Sequence, residues 1–118
     1  MAEPPMREPT YFVLAALLRG PLHGYAIMKR AEELSGGRVR LATGTLYTAL
    51  DRLTAEGHVQ LVSEETVAGR VRRTYGLTEG GSAVLRAEAV RMAEAAHLVI
   101  DADQETKPGR LTRKPRTT

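Results

Sequence analysis

The chain of 118 residues has no cysteine and no tryptophan, and its only rings are four tyrosines and one phenylalanine, apart from three histidines. The missing cysteine excludes a disulfide scaffold, a thiol nucleophile and any cysteine-ligated metal site, and it fits a reducing cytoplasm. With so few aromatics, the core falls to Leu, Val and Ala. No apolar run reaches the roughly 18–20 residues that a bilayer span needs, so no membrane partner is expected. The first nine residues mix acid, base and proline and lack the pattern of a signal peptide. Two full cores would not fit in this length, so one domain is expected. Hydrophobic residues at 42% and charged residues at 26% point to a packed fold rather than disorder.

The formal net charge is +3 and the sequence pI is near 9.6. Lys107, Arg110, Arg113, Lys114 and Arg116 supply five cations at the C-terminal end with no acid among them. The rest of the chain holds 12 cations against 14 acids, a net of −2. The basic pI therefore comes from the tail, and an argument for a polyanionic partner must rest on where the other arginines lie.

Pro4, Pro5 and Pro9 mark residues 1–9 as a flexible N-terminal arm. Thr10 then caps a helix over Tyr11–Arg19, apolar almost all round and so buried on most sides; Gly20-Pro21 stops it. A second helix is predicted over about Gly24–Leu34. Ile27, Ala31 and Leu34 form its apolar face, with Lys29, Arg30, Glu32 and Glu33 opposite. Ser35-Gly36-Gly37 ends it, and the short basic segment RVRLA follows. The third helix runs from about Thr43, its cap, to Glu56. Leu46, Leu50 and Leu53 make its buried stripe, Gly57 fits the position just past its end, and Thr45, Tyr47, Thr48, Asp51 and Arg52 face outward. Val59–Thr66 and Arg72–Leu77 read as the strands of a hairpin with VAGR between them.

Thr78 caps a last helix that reaches about Ile100, with Gly80 and Gly81 weakening its first turn. Leu85, Ala89, Met92, Ala96 and Val99 form one stripe, widened by Val90, Ala93, His97 and Ile100 beyond what a small domain easily covers. Past Asp101 the pattern dissolves into a solvated basic tail. Mainly α with a β-hairpin wing, this order is that of a winged helix-turn-helix. Residues 10–78 make up that domain, 79–101 the long C-terminal helix, and 102–118 a basic disordered tail.

The exposed face of the third helix offers hydroxyls from Thr45, Thr48 and Tyr47 and the guanidinium of Arg52. A helix fits the DNA major groove, where Arg reaches guanine O6 and N7 and Thr donates, accepts or touches a thymine methyl. Its N-terminus, at Thr43 and Gly44, presents unpaired N–H groups that suit a phosphate. The ordinary reading of such a face is a solvated polar surface, and that reading is far commoner. The hairpin adds weight: Arg70, Arg72 and Arg73 sit at its tip and return strand, where they can enter a minor groove or grip phosphates. Their bland reading is a charged edge that blocks sheet-to-sheet aggregation. Arg38 and Arg40 flank the third helix as phosphate contacts or as solvated linker charges. Tyr25 and Tyr47 each combine a packing ring with a hydroxyl that can reach phosphate, and for Tyr25 a place in the core is an equal reading. Catalytic and metal readings find no support: His23, His58 and His97 lack metal-ligand spacing, Glu64 and Glu65 point to opposite faces of a strand, and no phosphate-binding glycine loop is present. No enzyme activity and no cofactor are expected.

His23-Gly24-Tyr25, Gly44-Thr45-Leu46-Tyr47 with Leu50, Arg52, Leu53, Glu56 and Gly57, and Arg73-Thr74-Tyr75-Gly76-Leu77-Thr78 with Gly81 resemble the PadR family of winged-helix transcriptional regulators. The likeness covers about residues 10–100. One departure is Thr48, where the family has proline after Gly-Thr-Leu-Tyr; it restores an N–H and exposes a hydroxyl on the outer face. The resemblance implies a cytoplasmic homodimer that represses genes from a palindromic operator on double-stranded DNA. It implies dimerisation through the last helix with support from the first, which assigns Phe12, Leu14, Leu18, Leu85, Ala89, Met92, Ala93, Ala96, Val99 and Ile100 to the interface. Short members of this kind can take aromatic or drug-like effectors at the dimer interface, some with a tryptophan platform that this chain lacks. A winged-helix module for ligand sensing or protein interaction, without specific DNA binding, is the alternative that stays open.

Overall fold

A computed structural model describes residues 6–106. The elements are α1 (Glu8–Ala16), β1 (Leu22–His23), α2 (Gly24–Leu34), α3 (Thr43–Ala55), β2 (Val59–Val67), β3 (Arg70–Leu77) and α4 (Glu79–Thr106). Three antiparallel strands in the order β1-β3-β2 form the sheet. This is the expected winged helix-turn-helix with a long C-terminal helix. Among the described residues no helix is long and apolar enough to cross a membrane.

Two units make up the chain, one ending at Glu88 and the other beginning at Ala89. In the first, Val13, Leu14 and Leu17 from α1 and its exit, Ile27 from α2, Leu46, Leu50 and Leu53 from α3, Val59, Tyr75 and Leu85 pack into one core. The stripe on α3 is the one that the helical spacing predicts. The second unit is the rest of α4, whose side chains from Val90 to Gln104 are all exposed.

Several boundaries differ from the sequence expectation, each for a physical reason. α1 starts at Glu8, so the arm is shorter and Arg7, not Thr10, is the N-cap. Pro9 is compatible with this because the first turn of a helix leaves its N–H groups unpaired and favours the fixed φ of proline. The N-cap of α3 is Ala42 without a side-chain bond; Thr43 is the first helical residue and not the cap. α2 is capped by His23, whose Nδ1 accepts from the Ala26 N–H at 3.4 Å. β1 is only two residues long, too short to carry an alternation, and its existence shows only through pairing of Leu22 with Tyr75 and His23 with Thr74.

The wing is longer than expected, and its loop is Ala68-Gly69 rather than VAGR. Both residues take positive φ, 51° and 76°. That is the primed turn whose twist suits a hairpin, although alanine is an unusual occupant. α4 continues to Thr106, past the expected end near Ile100; residues 107–118, where the rest of the basic tail falls, and residues 1–5 lie outside the described residues.

Thr78 is the anchor of α4. Its Oγ1 accepts from the Gly81 N–H at 2.9 Å and donates to the Gly57 carbonyl at 2.6 Å, tying the helix start to the end of α3. Gly81 is required by close approach: a Cβ there would overlap the His58 carbonyl oxygen and stand 2.8 Å from its carbon.

Candidate nucleic-acid interface

α3 is held by Leu46, Leu50 and Leu53, each 1% exposed or less. The opposite side therefore faces solvent, and Thr43, Gly44, Thr45, Thr48, Asp51 and Arg52 are all exposed there. The first-turn N–H groups of α3 meet no side-chain cap, so they point outward with the positive end of the helix dipole.

Tyr47 lies to one side of that face, half-buried against the start of α2. A Cβ at Gly24 would overlap the Tyr47 hydroxyl and come within 2.8 Å of its ring carbon Cζ. Glycine in the His23-Gly24-Tyr25 run is thus what lets the α3 tyrosine dock on α2. Tyr25 is 65% exposed, which corrects the alternative that places it in the core.

These two tyrosines open onto the wing. His23, Gly24, Tyr25, Tyr47, Val67, Ala68, Arg70, Val71, Arg72 and Arg73 line one groove of about 470 Å³. Five of the sequence-assigned contact residues, Tyr25, Tyr47, Arg70, Arg72 and Arg73, meet in it. Sequence reasoning missed His23 and Val71 as lining residues; the His-Gly-Tyr run was the available signal for the first. Among the described residues, β3 pairs on the β1 side only at Tyr75 and Thr74, so its edge beyond Thr74 carries no strand there.

The electrostatics of the arginines divide them. Among the described residues Arg70 and Arg72 make no ion pair, and their charge is available. Arg73 donates from Nε to Glu64 Oε1 at 2.9 Å. That hydrogen bond, reinforced by the carboxylate's charge, holds the Arg73 guanidinium above its ordinary value. Beneath it, burial pushes the Tyr75 phenol up, against the pull of Arg73. Arg38 is paired with Glu8 at 2.9 Å and Arg40 with Glu32 at 3.7 Å, so neither is a free linker charge. Arg52 is also engaged: Nη2 donates to Thr10 Oγ1 at 3.0 Å and Nη1 to Glu56 Oε1 at 3.3 Å. It is drawn towards Thr10 of α1.

The residues assigned to an interface between copies divide as well. Leu14 is fully buried and Leu85 only 4% exposed, both inside the first unit's core, which corrects their assignment. Phe12 is half-buried and Leu18 exposed on the first unit. On the second unit Met92, Ala93, Ala96, Val99 and Ile100 are exposed, and so are Val90 and Leu98. Ala89 is half-buried.

Comparison with known proteins gives a consistent answer. The family model described as transcriptional regulator PadR-like family matches residues 13–87. An uncharacterized 37.1 kDa protein in transposon TN4556 of Streptomyces fradiae is 44% identical over 89 residues, 75% of this chain and 24% of that protein. The transcriptional regulator Rv3488 of Mycobacterium tuberculosis is 41% identical over 76 residues, 64% of this chain and 69% of that one. Among solved structures, Bacillus subtilis PadR in complex with operator DNA superposes with a TM-score of 0.59 at 27% identity, covering 68% of this chain and 45% of that one. The chain thus spans about a quarter of the transposon protein's length and under half of the Bacillus chain.

Proposed function

The chain belongs to the transcriptional regulator PadR-like family, and from that premise we propose that it is a sequence-specific DNA-binding repressor acting as a homodimer on a palindromic operator. The observation that carries the DNA reading is the groove where Tyr25, Tyr47, Arg70, Arg72 and Arg73 meet beside the exposed face of α3. In this reading Thr45 and Thr48 meet base edges in the major groove, and the N–H groups at Thr43 and Gly44 meet a phosphate. Tyr25 and Tyr47 donate to the backbone, and Arg70 and Arg72 carry the wing onto it. Arg38, Arg40 and Arg52 contribute only if they exchange Glu8, Glu32 and Glu56 for DNA.

A second copy of the chain is the proposed cover for Met92, Ala93, Ala96, Val99 and Ile100, joined by Val90 and Leu98; Phe12 and Leu18 are the proposed support from α1. A twofold pair places two α3 helices in successive major grooves, about 34–36 Å apart. The proposed domain limits remain 10–78 for the DNA-binding part, extended at its start to Glu8, with α4 as the dimerisation helix. The reading also includes release by a small aromatic or drug-like effector. A ligand that lowers the anisotropy of the complex at fixed protein concentration is the observation this requires.

The test is fluorescence anisotropy with duplex DNA from upstream of the protein's own gene against a scrambled duplex, at low and moderate salt. Preference for the native duplex that survives moderate salt supports the reading. Equal, salt-labile binding to both contradicts specific repression and favours a module whose partner is not DNA.

A further inference from the structure

Glu64 owes its position to a bulge. The β2–β3 register pairs Leu61 with Tyr75 but Ser63 with Thr74, so Val62 is an extra residue in β2. Paired residues across an antiparallel ladder share a face. Before the bulge, Val59 and Leu61 point to the Tyr75 side; without Val62's insertion, Ser63 and Glu65 would follow them. With it, Glu64 falls on that side opposite Arg73, and Glu65 falls on the other opposite Arg72. Glu64 then closes on Arg73 at 2.9 Å, whereas Glu65 and Arg72 form no ion pair. Glu64 does not line the groove; Arg73 does.

The contact engages Nε of Arg73. Among the described residues its terminal nitrogens have no other partner, so the forked end of the guanidinium is left for a bidentate ligand. Both side chains are 49% exposed, so the pair is wet and easily rearranged. At a distance the pair is close to neutral and adds little to nonspecific attraction. At contact, the same pair offers a donor fork of fixed direction, which rewards only a phosphate in the right place.

We propose that Glu64 is a positioning residue that raises discrimination between cognate and other DNA by holding Arg73 through Nε and cancelling its long-range charge. This rests on the DNA-binding reading above. The inference concerns how the wing chooses among duplexes, not whether it binds them.

The experiment uses the full chain and two probes: a duplex enriched from a random-sequence library by the wild-type protein, and a scrambled version of it. Anisotropy titrations across a salt series compare wild type, Glu64→Gln, Arg73→Ala and the double variant. Glutamine keeps an acceptor oxygen and removes the charge; both sites are half-exposed, and thermal melts verify that each variant is folded. Glu64→Gln is expected to tighten the scrambled duplex about tenfold at low salt and to steepen its salt slope by about 0.9. The enriched duplex gains less, so the ratio between the two falls. In the Arg73→Ala background the glutamine no longer changes that ratio. An unchanged ratio in Glu64→Gln overturns the proposal, and so does an equal change with and without Arg73, which would reduce Glu64 to net charge. If wild type enriches no sequence, the DNA reading itself fails and this inference with it, an outcome distinct from the other two.

Discussion

Gly80 and Gly81 are adjacent in the first turn of α4, yet alanine at each should act in opposite directions. In a helix alanine is favoured over glycine by about 1 kcal/mol, so propensity alone predicts that both substitutions stabilise. At Gly80 a Cβ finds the Gly57 carbonyl oxygen at 3.5 Å and Thr78 Oγ1 at 3.7 Å, ordinary contact distances. At Gly81 it would overlap the His58 carbonyl oxygen and lie 3.1 Å from His58 Cα, and all of these are backbone atoms of the residue just before β2. A backbone cannot swing aside as a side-chain tip can; α4 must shift off the strand and strain the Thr78 cap. Overpacking of this kind costs about 1–3 kcal/mol. The net expectation is a gain of up to about 1 kcal/mol for Gly80→Ala and a loss of up to about 2 kcal/mol for Gly81→Ala. With a urea slope of about 1–3 kcal/mol/M, the two midpoints separate by roughly 1 M. The assay is urea unfolding followed by circular dichroism at one protein concentration, because the proposed dimer would make the midpoint depend on concentration. Equal stabilisation by both substitutions would refute the close packing of α4 on His58.

Four further outcomes are expected. Arg72→Ala weakens binding to every duplex and flattens the plot of log affinity against log salt by about 0.9, the worth of one phosphate; an unchanged slope removes Arg72 from the contact. Arg52→Ala loses less than about 1 kcal/mol of stability, since its ion pair with Glu56 is half-exposed, and it leaves base preference unaltered in a competition between duplexes; an altered preference would show that Arg52 leaves Thr10 and Glu56 for a base. Ala68→Asn stabilises by about 0.5–1 kcal/mol in thermal melts, because asparagine tolerates the left-handed backbone that alanine is forced into at φ 51°. Val99→Glu, at an exposed position of α4, converts a two-chain species to one chain in sedimentation; an unchanged mass refutes dimerisation through that face.

The parts of the fold built on side-chain period were legible. Leu46, Leu50 and Leu53 lie on one face of a 3.6-residue repeat, and that repeat both identifies α3 and decides which side faces solvent. Thr78 was legible as a cap because its hydroxyl sits three residues before the amide it receives. What resisted reading depended on partners far along the chain. β1 exists only because β3 lies beside it. The bulge at Val62 leaves no mark in composition, yet it decides that Glu64 and not Glu65 meets Arg73. Gly81 read as a weak helix former, because only the neighbouring His58 backbone makes its missing side chain useful.

The same division holds in the candidate site. Residue types and helix faces pointed to Thr45, Thr48, Tyr47 and the wing arginines. Nothing in the spacing could show that Arg38 and Arg40 are tied to Glu8 and Glu32, whereas Glu56, four residues after Arg52 on the same helix, did offer that signal. Leu14 and Leu85 lie in the core and not at an interface, a distinction the sequence hides because a continuous apolar stripe does not reveal where an intramolecular core stops and a partner begins.

In the proposed complex DNA is taken by one face: the outer side of α3, the start of α2 and the wing. The most direct test is a titration of the isotope-labelled full chain with the enriched duplex, followed by amide chemical shifts residue by residue. The largest shifts are expected at Gly24, over residues 43–48 and over residues 68–73, with the groove lined by Leu18, Arg19, Pro21, Val62 and Arg86 undisturbed. Shifts confined to residues 107–118, or centred on that second groove, would contradict it.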